Sequence, residues 1–386
     1  MLDYPFKFPK IEATFLRRIN RFVVEVKIGN KKTLAYLPNP GRLWELLYQG
    51  TSILLVKNQN FDKLPYTVLA CKKEFNYILL HTHLTNKIIK KLVEEEKLIF
   101  WRDWKVLKEE PRFENVRFDL LLQNNKTWEK MILEVKTCTL FGQKIAMFPD
   151  AETKRGSKHI IELIKIQEQR LKSGVLFVVM NPNIKYFLPA YHIDYKFSET
   201  LLEAKDKIEV RAIAVKWDKS FTYVEEIKNL VIPFKFLNKI EDKGIYLLLF
   251  NIKNKEKIRI GGLGEYIFKK GYYIYVGSAM NNLTKRIQRH LRKNKKLRWH
   301  IDYLLSKAQN IKVIPIRTFL KWECEIAEKL SFLSDEIFFG FGVSDCKCKS
   351  HLFYFFQNPL EKEQFQKLIL EYRINKLEEE LEDAFA

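Results

Sequence analysis

Asp119, Glu134 and Lys136 are residue types spaced as metal-assisted phosphodiester hydrolysis would need them. Glu134 and Lys136 stand two apart in the apolar run KMILEVKTCTL (130–140). A β-strand alternates faces with period two, so both side chains point to one side and Val135 to the other. RFDLLLQ (117–123) reads as a neighbouring strand that brings Asp119 alongside. Mg²⁺ or Mn²⁺ takes hard oxygen ligands, and one or two protein carboxylates suffice to hold it. A lysine beside the metal can orient the attacking water and offset charge on the phosphate. The same spacing also fits a solvated salt-bridge pair on an edge strand.

A second set lies toward the C-terminus. Gly244-Ile245-Tyr246 opens one strand and Tyr275-Val276-Gly277 closes another; Arg286 follows nine residues after Gly277, and His290 one helical turn later. A tyrosine next to a phosphate can act as general base or orient a nucleophile, and an arginine gives two parallel bonds to phosphate oxygens. Glu323 or Glu325 on a later helix can hold a metal. On residues alone, Tyr246 and Tyr275 are equally ordinary core aromatics. Asp345, Cys346, Cys348 and His351 outline part of a metal site. Structural zinc takes four ligands, C-x-C-x-x-H supplies three, and Cys324 can supply a fourth. The expectation is nevertheless buried structural thiols, with Zn²⁺ not called for.

The charge balance points to a polyanion. Against 47 Asp+Glu stand 68 Lys+Arg, a formal net charge of +21, and each cation that neutralises a phosphate releases a condensed counterion. A Lys-rich genomic composition is the plainer explanation. Clustering weighs against it: Lys285, Arg286, Arg289, Arg292, Lys293, Lys295, Lys296 and Arg298 occupy 281–298 with no acidic residue, and Trp299 follows as a stacking aromatic. DNA is the expected partner, with RNA the alternative and no membrane. The five cysteines are odd in number and mostly far apart, which excludes a secreted disulfide framework and favours a reducing compartment. MLDYPFKFPK lacks the apolar core of a signal peptide, and VLFVVM and YLLLF are too short to span a bilayer. A cytoplasmic location is expected.

The elements that must position these residues fall into three groups. ATFLRRI, RFVVEVKI, KTLAYL, SILLVKN and YTVLACKK read as short strands with PNPGR (38–42) as the clearest turn, which suggests a small barrel. TNKIIKKLVEEEKL is an amphipathic helix; strands follow at 117–123, 130–140 and 175–180, with a helix from Ser157 to Leu171 and Ser157 as its N-cap. That order fits an α/β sheet. Residues 218–240 read as a connector. A third unit has strands at 244–251, 258–262 and 272–276, then helices near 281–293, 297–308 and 322–332, before an acidic helix over 359–386.

RFDLLL, LEVKTCTL and MFPDAETKRGSKHIIEL together resemble the SfsA family, named for sugar fermentation stimulation. ATFLRRINRFVVEV, LPNPGRLWELL and FLPAYHIDYKFSETLLEA extend the resemblance over roughly residues 5–218. It implies an OB-like domain, a PD-(D/E)xK nuclease-like domain and DNA binding. By position, Asp119 and Glu134 take the places of the metal ligands and Lys136 that of the catalytic lysine. Arg155, His159 and Glu162 follow on one helix, where His159 and Glu162 share a face. Tyr36 stands where the family has a histidine, and KLPYT (63–67) is less basic than its counterpart. GIY…YIYVGSA…RIQRH resembles the GIY-YIG nuclease superfamily. KGIYLLL, RWHIDYLL and GFGVSDCKCKSHLFYF resemble an uncharacterised domain of that type over about 241–356. The resemblance implies a site of Tyr246, Tyr275, Arg286 and a glutamate, with His300 a further candidate; 28 residues between the tyrosines exceed the usual gap.

The expected architecture is a multidomain α/β chain: an OB-like β-barrel (1–84), a PD-(D/E)xK nuclease-like α/β domain (85–218), a linker (219–240), a GIY-YIG-like α/β domain (241–356) and an acidic terminal helix (357–386). The expected function is DNA binding with Mg²⁺- or Mn²⁺-dependent phosphodiester hydrolysis. Lys136, Tyr246, Tyr275, Arg286 and Glu323 are the expected catalytic residues. Arg21, Arg42, Arg155, His159, Lys285, Arg289 and Arg292 are the expected nucleic-acid contacts. The alternatives are a non-catalytic DNA-binding regulator and an RNA-directed protein.

Overall fold

Short apolar and β-branched runs in the first 80 residues form six strands: Lys10–Asn20, Val23–Ile28, Lys31–Tyr36, Ser52–Lys57, Tyr66–Lys73 and Asn76–Leu79. In the second, Val24 and Val26 are fully buried while Glu25 and Lys27 are not, the signature of a strand with one face on a core. The computed structural model describes residues 6–58, 64–74, 76–218 and 222–385, so Lys63 of KLPYT lies outside the described residues. The first three strands form an antiparallel meander, and Lys10–Asn20 also pairs with Ser52–Lys57. Lys31–Tyr36 then pairs in parallel with Tyr66–Lys73 through Ala35↔Tyr66, which closes the sheet on itself as the expected OB-like barrel.

The PNPGR turn ties this barrel to the next layer. Arg18 donates to the carbonyls of Asn39, Gly41 and Arg42 at 2.9, 2.5 and 3.0 Å, pinning the turn from below. The Arg42 amide then donates to the Asp150 carboxylate at 2.9 Å. A Cβ on Gly41 would lie 2.0 Å from that same oxygen, so only glycine permits the approach.

A six-stranded sheet follows, in the order Val224–Asn229, Glu209–Trp217, Lys172–Val179, Lys130–Cys138, Leu120–Asn124 and Trp104–Glu109. Its three central strands are parallel and the outer pairings antiparallel. Two expectations are corrected. The helix runs Lys154–Glu168 and its N-cap is Thr153, whose hydroxyl accepts from the Gly156 amide; Ser157 sits inside the first turn. Part of the supposed connector is the strand Val224–Asn229, an edge strand with Val224 alone buried, so its sequence shows no two-residue rhythm.

The chain divides into two compact units: residues 1–238 with 374–386, and residues 239–373. The second unit is built on a five-stranded antiparallel sheet in the order Gln309–Arg317, Gly244–Ile252, Gly271–Ala279, Leu352–Phe355 and Glu336–Ile337. Helices Leu283–Leu291, His300–Leu305 and Glu323–Leu333 accompany it. The single acidic helix expected at the end is instead two, Glu363–Leu370 and Leu377–Phe385, joined by a π-helical turn at Glu371–Asn375 and assigned to different units. Asp302 is fully buried and organises the second unit. It accepts two bonds from Arg289 at 3.2 and 2.7 Å, and the amides of Arg298 and Trp299 at 3.0 and 3.1 Å. The basic segment, which holds no acid of its own, takes its counter-charge from this carboxylate.

Two outcomes follow from these buried carboxylates. Burial, and then the charge of Asp150, push Glu45 up from 4.5 to about 7, and its Oε1 has no hydrogen-bond partner among the described residues. The folded chain thus holds this proton more tightly than the unfolded chain, so stability is full below the unfolded carboxyl pKa and is lost as pH rises toward 7. At pH 8, Glu45→Gln is expected to be more stable than wild type by up to about 3 kcal/mol, with the difference vanishing near pH 4. Urea unfolding at the two pH values reads it, and a pH-independent difference contradicts it. Asp302→Ala leaves Arg289 and its neighbours without their counter-ion. Unfolding of the second unit should become easier by about 3–5 kcal/mol, whereas exposed Lys293→Ala should stay within about 0.5 kcal/mol.

Candidate functional site

Asp119 sits immediately before the strand Leu120–Asn124, and Glu134 and Lys136 lie on its antiparallel neighbour Lys130–Cys138. Asp119 is fixed at both oxygens: Oδ1 accepts from Asn86 and Oδ2 from the Val135 amide, each at 2.7 Å. Burial, and next the charge of Glu134, push the Asp119 carboxyl up to about 6. Glu134 is buried, which alone would raise it, yet the bond from His159 and the charge of Lys136 hold it below the usual carboxylate range. Its Oε1 receives both Lys136 Nζ and His159 Nδ1, the latter at 2.6 Å, while Oε2 is sealed from solvent with no partner among the described residues. Arg155 faces the other ring nitrogen, Nε2, at 3.3 Å. Since Arg155 only donates, Nε2 accepts and Nδ1 carries the proton given to Glu134. Arg155 and His159 thus belong to the Glu134 cluster. Glu162 pairs with Lys165 at 2.9 Å instead. Asn86, on the helix Thr85–Glu94, is a site residue that strand spacing gives no means of finding.

In the second unit Tyr246 pairs in register with Gly277 on the adjacent strand. A Cβ there would lie 2.6 Å from the Tyr246 hydroxyl and 2.9 Å from the Tyr275 ring, so the glycine makes room for both tyrosines. The tyrosine rings stand 6.5 Å apart. Burial pushes both hydroxyls up, and Arg286 pulls against it in each case. The Tyr246 hydroxyl lies 2.9 Å from His290 Nε2, and His290 Nδ1 lies 3.2 Å from Asp302 Oδ1. Burial lowers His290 to about 4, so at neutral pH Nδ1–H donates to Asp302 and Nε2 accepts the tyrosine proton. Burial raises the phenol and lowers the imidazole, and both directions oppose proton transfer from Tyr246 to His290. The contact directs the Tyr246 hydroxyl at His290 Nε2.

Glu323 Oε1 lies 3.2 Å from His351 Nδ1, and the Glu323 charge adds to the upward shift of both tyrosines. Glu325 is turned away: it accepts from the Tyr372 hydroxyl at 2.7 Å and pairs with Lys329 at 3.7 Å. His300 is half-buried with its ring 6.0 Å from Phe341.

The expected nucleic-acid contacts divide by exposure. Arg21 and Arg42 are exposed and lie 5.7 and 5.0 Å from the rings of Phe22 and Trp44, giving the barrel a cationic and aromatic surface around the PNPGR turn. Lys285 and Arg292 are exposed. Arg289 is half-buried, bound to Asp302 and stacked 3.9 Å from the Trp299 ring centre, with Arg286 over the same ring at 4.4 Å. The expectation of buried thiols is also corrected. Cys71 and Cys138 are buried, but Cys324 is exposed and Cys346 and Cys348 are half-buried, because helix start and loop meet at the surface. Among the described residues no helix is long and apolar enough to cross a membrane.

Comparison with known proteins follows these divisions. Residues 16–80 match the SfsA N-terminal OB domain, and residues 83–221 the sugar fermentation stimulation protein RE domain. Residues 245–374 match a domain of unknown function, DUF123. The sugar fermentation stimulation protein homolog of Clostridium kluyveri is 34% identical over 222 residues, covering 56% of this chain and 96% of that protein. The homolog of Methanosphaera stadtmanae is 34% identical over 251 residues, covering 63% of this chain and 95% of that protein. The solved structure of Pyrococcus furiosus SfsA in complex with Ca²⁺ is 30% identical with a TM-score of 0.53, over 58% of this chain and 96% of that one. With its barrel and six-stranded α/β sheet matched in order, the chain belongs to the sugar fermentation stimulation protein family, and it carries a GIY-YIG-like DUF123 domain after them.

Proposed function

We propose that this chain is a DNA-binding protein whose first unit hydrolyses phosphodiesters with a divalent metal held by Asp119 and Glu134. The observation that carries the proposal is Glu134 Oε2, a carboxylate oxygen buried without a partner while its twin is held by Lys136 and His159. An unpartnered buried carboxylate oxygen is costly, and a hard cation shared with Asp119 would satisfy it. The donor set is all oxygen and fits Mg²⁺ or Mn²⁺; the Ca²⁺ complex of the Pyrococcus furiosus relative is in keeping with a hard ion. Such an ion, when bound, polarises the phosphate and lowers the pKa of its water.

The chain's own residues supply the remaining functions. Asn86 and the Val135 amide fix the Asp119 carboxylate, so its direction is set before substrate arrives. Lys136, bonded to Glu134, would orient the attacking water and offset charge on the phosphate. His159, held by Arg155, keeps Glu134 ionised inside a buried site. Arg21, Arg42, Lys285 and Arg292 provide exposed cations for the backbone, with Trp44 and Phe22 as stacking partners. In the second unit Tyr246, Tyr275, Arg286 and Glu323 form a second group suited to phosphoryl chemistry, with His290 as the positioning residue for Tyr246.

Cleavage of single- and double-stranded DNA, with single-stranded RNA alongside, in Mg²⁺ or Mn²⁺ tests this reading. Asp119→Asn is expected to reduce cleavage by about a hundredfold or more while binding stays equal or tightens, since a negative charge is removed. Tyr246→Phe reports on the second unit separately. Cleavage unchanged in Asp119→Asn contradicts the proposal, and salt-sensitive DNA binding without cleavage in any metal favours the non-catalytic regulator.

A further inference from the structure

One cluster in the second unit takes no part in the proposed chemistry. Cys324 lies in the first turn of the helix Glu323–Leu333, while Cys346, Cys348 and His351 come from the loop before the strand Leu352–Phe355. Their ligand atoms, three sulfurs and one imidazole nitrogen, all lie within 4.8 Å of one another. In a tetrahedral zinc site with Zn–S near 2.3 Å, neighbouring sulfurs stand about 3.8 Å apart. The set therefore needs to close by about 1 Å at most. We propose that Cys324, Cys346, Cys348 and His351 bind one structural Zn²⁺.

Four features of the surroundings fit a metal better than thiols alone. Three thiols partly open to solvent in one place would invite oxidation, and a disulfide would use two and strand the third; zinc uses all three. His351 is buried and already aimed: Nε2 lies 3.5 Å from the Cys346 sulfur, and Nδ1 lies 3.2 Å from Glu323 Oε1. A metal-bound imidazole ordinarily gives its other N–H to a carboxylate. His351 Nδ1 is buried with no hydrogen bond among the described residues, and Glu323 Oε1 is the carboxylate oxygen that stands 3.2 Å from it. Three thiolates and a neutral imidazole around Zn²⁺ leave one net negative charge, and Lys347 and Lys349 flank Cys348. Sulfur-rich donors also select zinc over the hard ions suited to Asp119 and Glu134.

The site has a mechanical consequence. Gly340 and Gly342 adopt φ of 77° and 72°, which favours glycine, and a Cβ on Gly342 would come 3.1 Å from the Tyr275 ring and 3.3 Å from His351 Cβ. The loop thus lies against Tyr275, and zinc would tie it to the helix start that carries Glu323. The metal would hold Glu323 in place without touching substrate. This assignment stands whether or not the chain cleaves DNA.

The test uses the full chain, purified under reducing conditions. Elemental analysis is expected to give one zinc per chain, lost in the double variant Cys346→Ser/Cys348→Ser. Because that variant can fail to fold, the unaltered chain is also stripped with a chelator and titrated with Co²⁺. Intense visible d–d bands with thiolate charge transfer, bleached by added Zn²⁺, are expected. Zinc retained by the double variant overturns the assignment. So does a stripped chain that shows no tetrahedral cobalt spectrum, or whose thiols react with a thiol reagent equally fast with and without zinc.

Discussion

The first unit's site depends on a single buried carboxylate with an uneven environment. Glu134 has one oxygen crowded by Lys136 and His159 and the other sealed away unpartnered. Burial would otherwise protonate such a group; the two donors keep it charged. Everything nearby serves that balance. Arg155 sets the tautomer of His159, and the strand pair brings Asp119 close enough to feel the Glu134 charge. The PNPGR turn, pinned by Arg18, reaches Asp150 at the end of the segment that leads into the His159 helix.

Asp302 in the second unit shows what a saturated buried carboxylate looks like. Both its oxygens are engaged by Arg289 and by the amides of Arg298 and Trp299, with His290 beside them. Nothing is left over for a ligand, and its effect is to hold a helix start, a basic helix and the tyrosine-orienting histidine together. The two groups are similarly buried and differ in whether an oxygen remains uncommitted.

Much of this was legible from residue order. Apolar, β-branched runs between turn residues mark the barrel strands, and Glu134 and Lys136 share a strand face because they are two residues apart. The Tyr246–Gly277 pairing follows from the two strands being neighbours. What escaped was tertiary. Asn86 and Asp302 act through side chains delivered from other elements, with no local pattern to mark them. The strand Val224–Asn229 hid in an apparent connector because an edge strand needs little apolar surface. The N-cap is Thr153 and not Ser157, since both are good caps within one turn and only the fold decides. The cysteines were misjudged since burial is a property of where residues 324 and 346–351 meet.

The most direct measurement is Mn²⁺ binding to the full chain, followed by electron paramagnetic resonance after the thiol cluster has been loaded with Zn²⁺. If Glu134 keeps an oxygen for a hard cation, wild type binds one Mn²⁺ that Glu134→Gln loses, while Glu323→Gln leaves that site intact. Equal Mn²⁺ binding by wild type and Glu134→Gln would contradict the account.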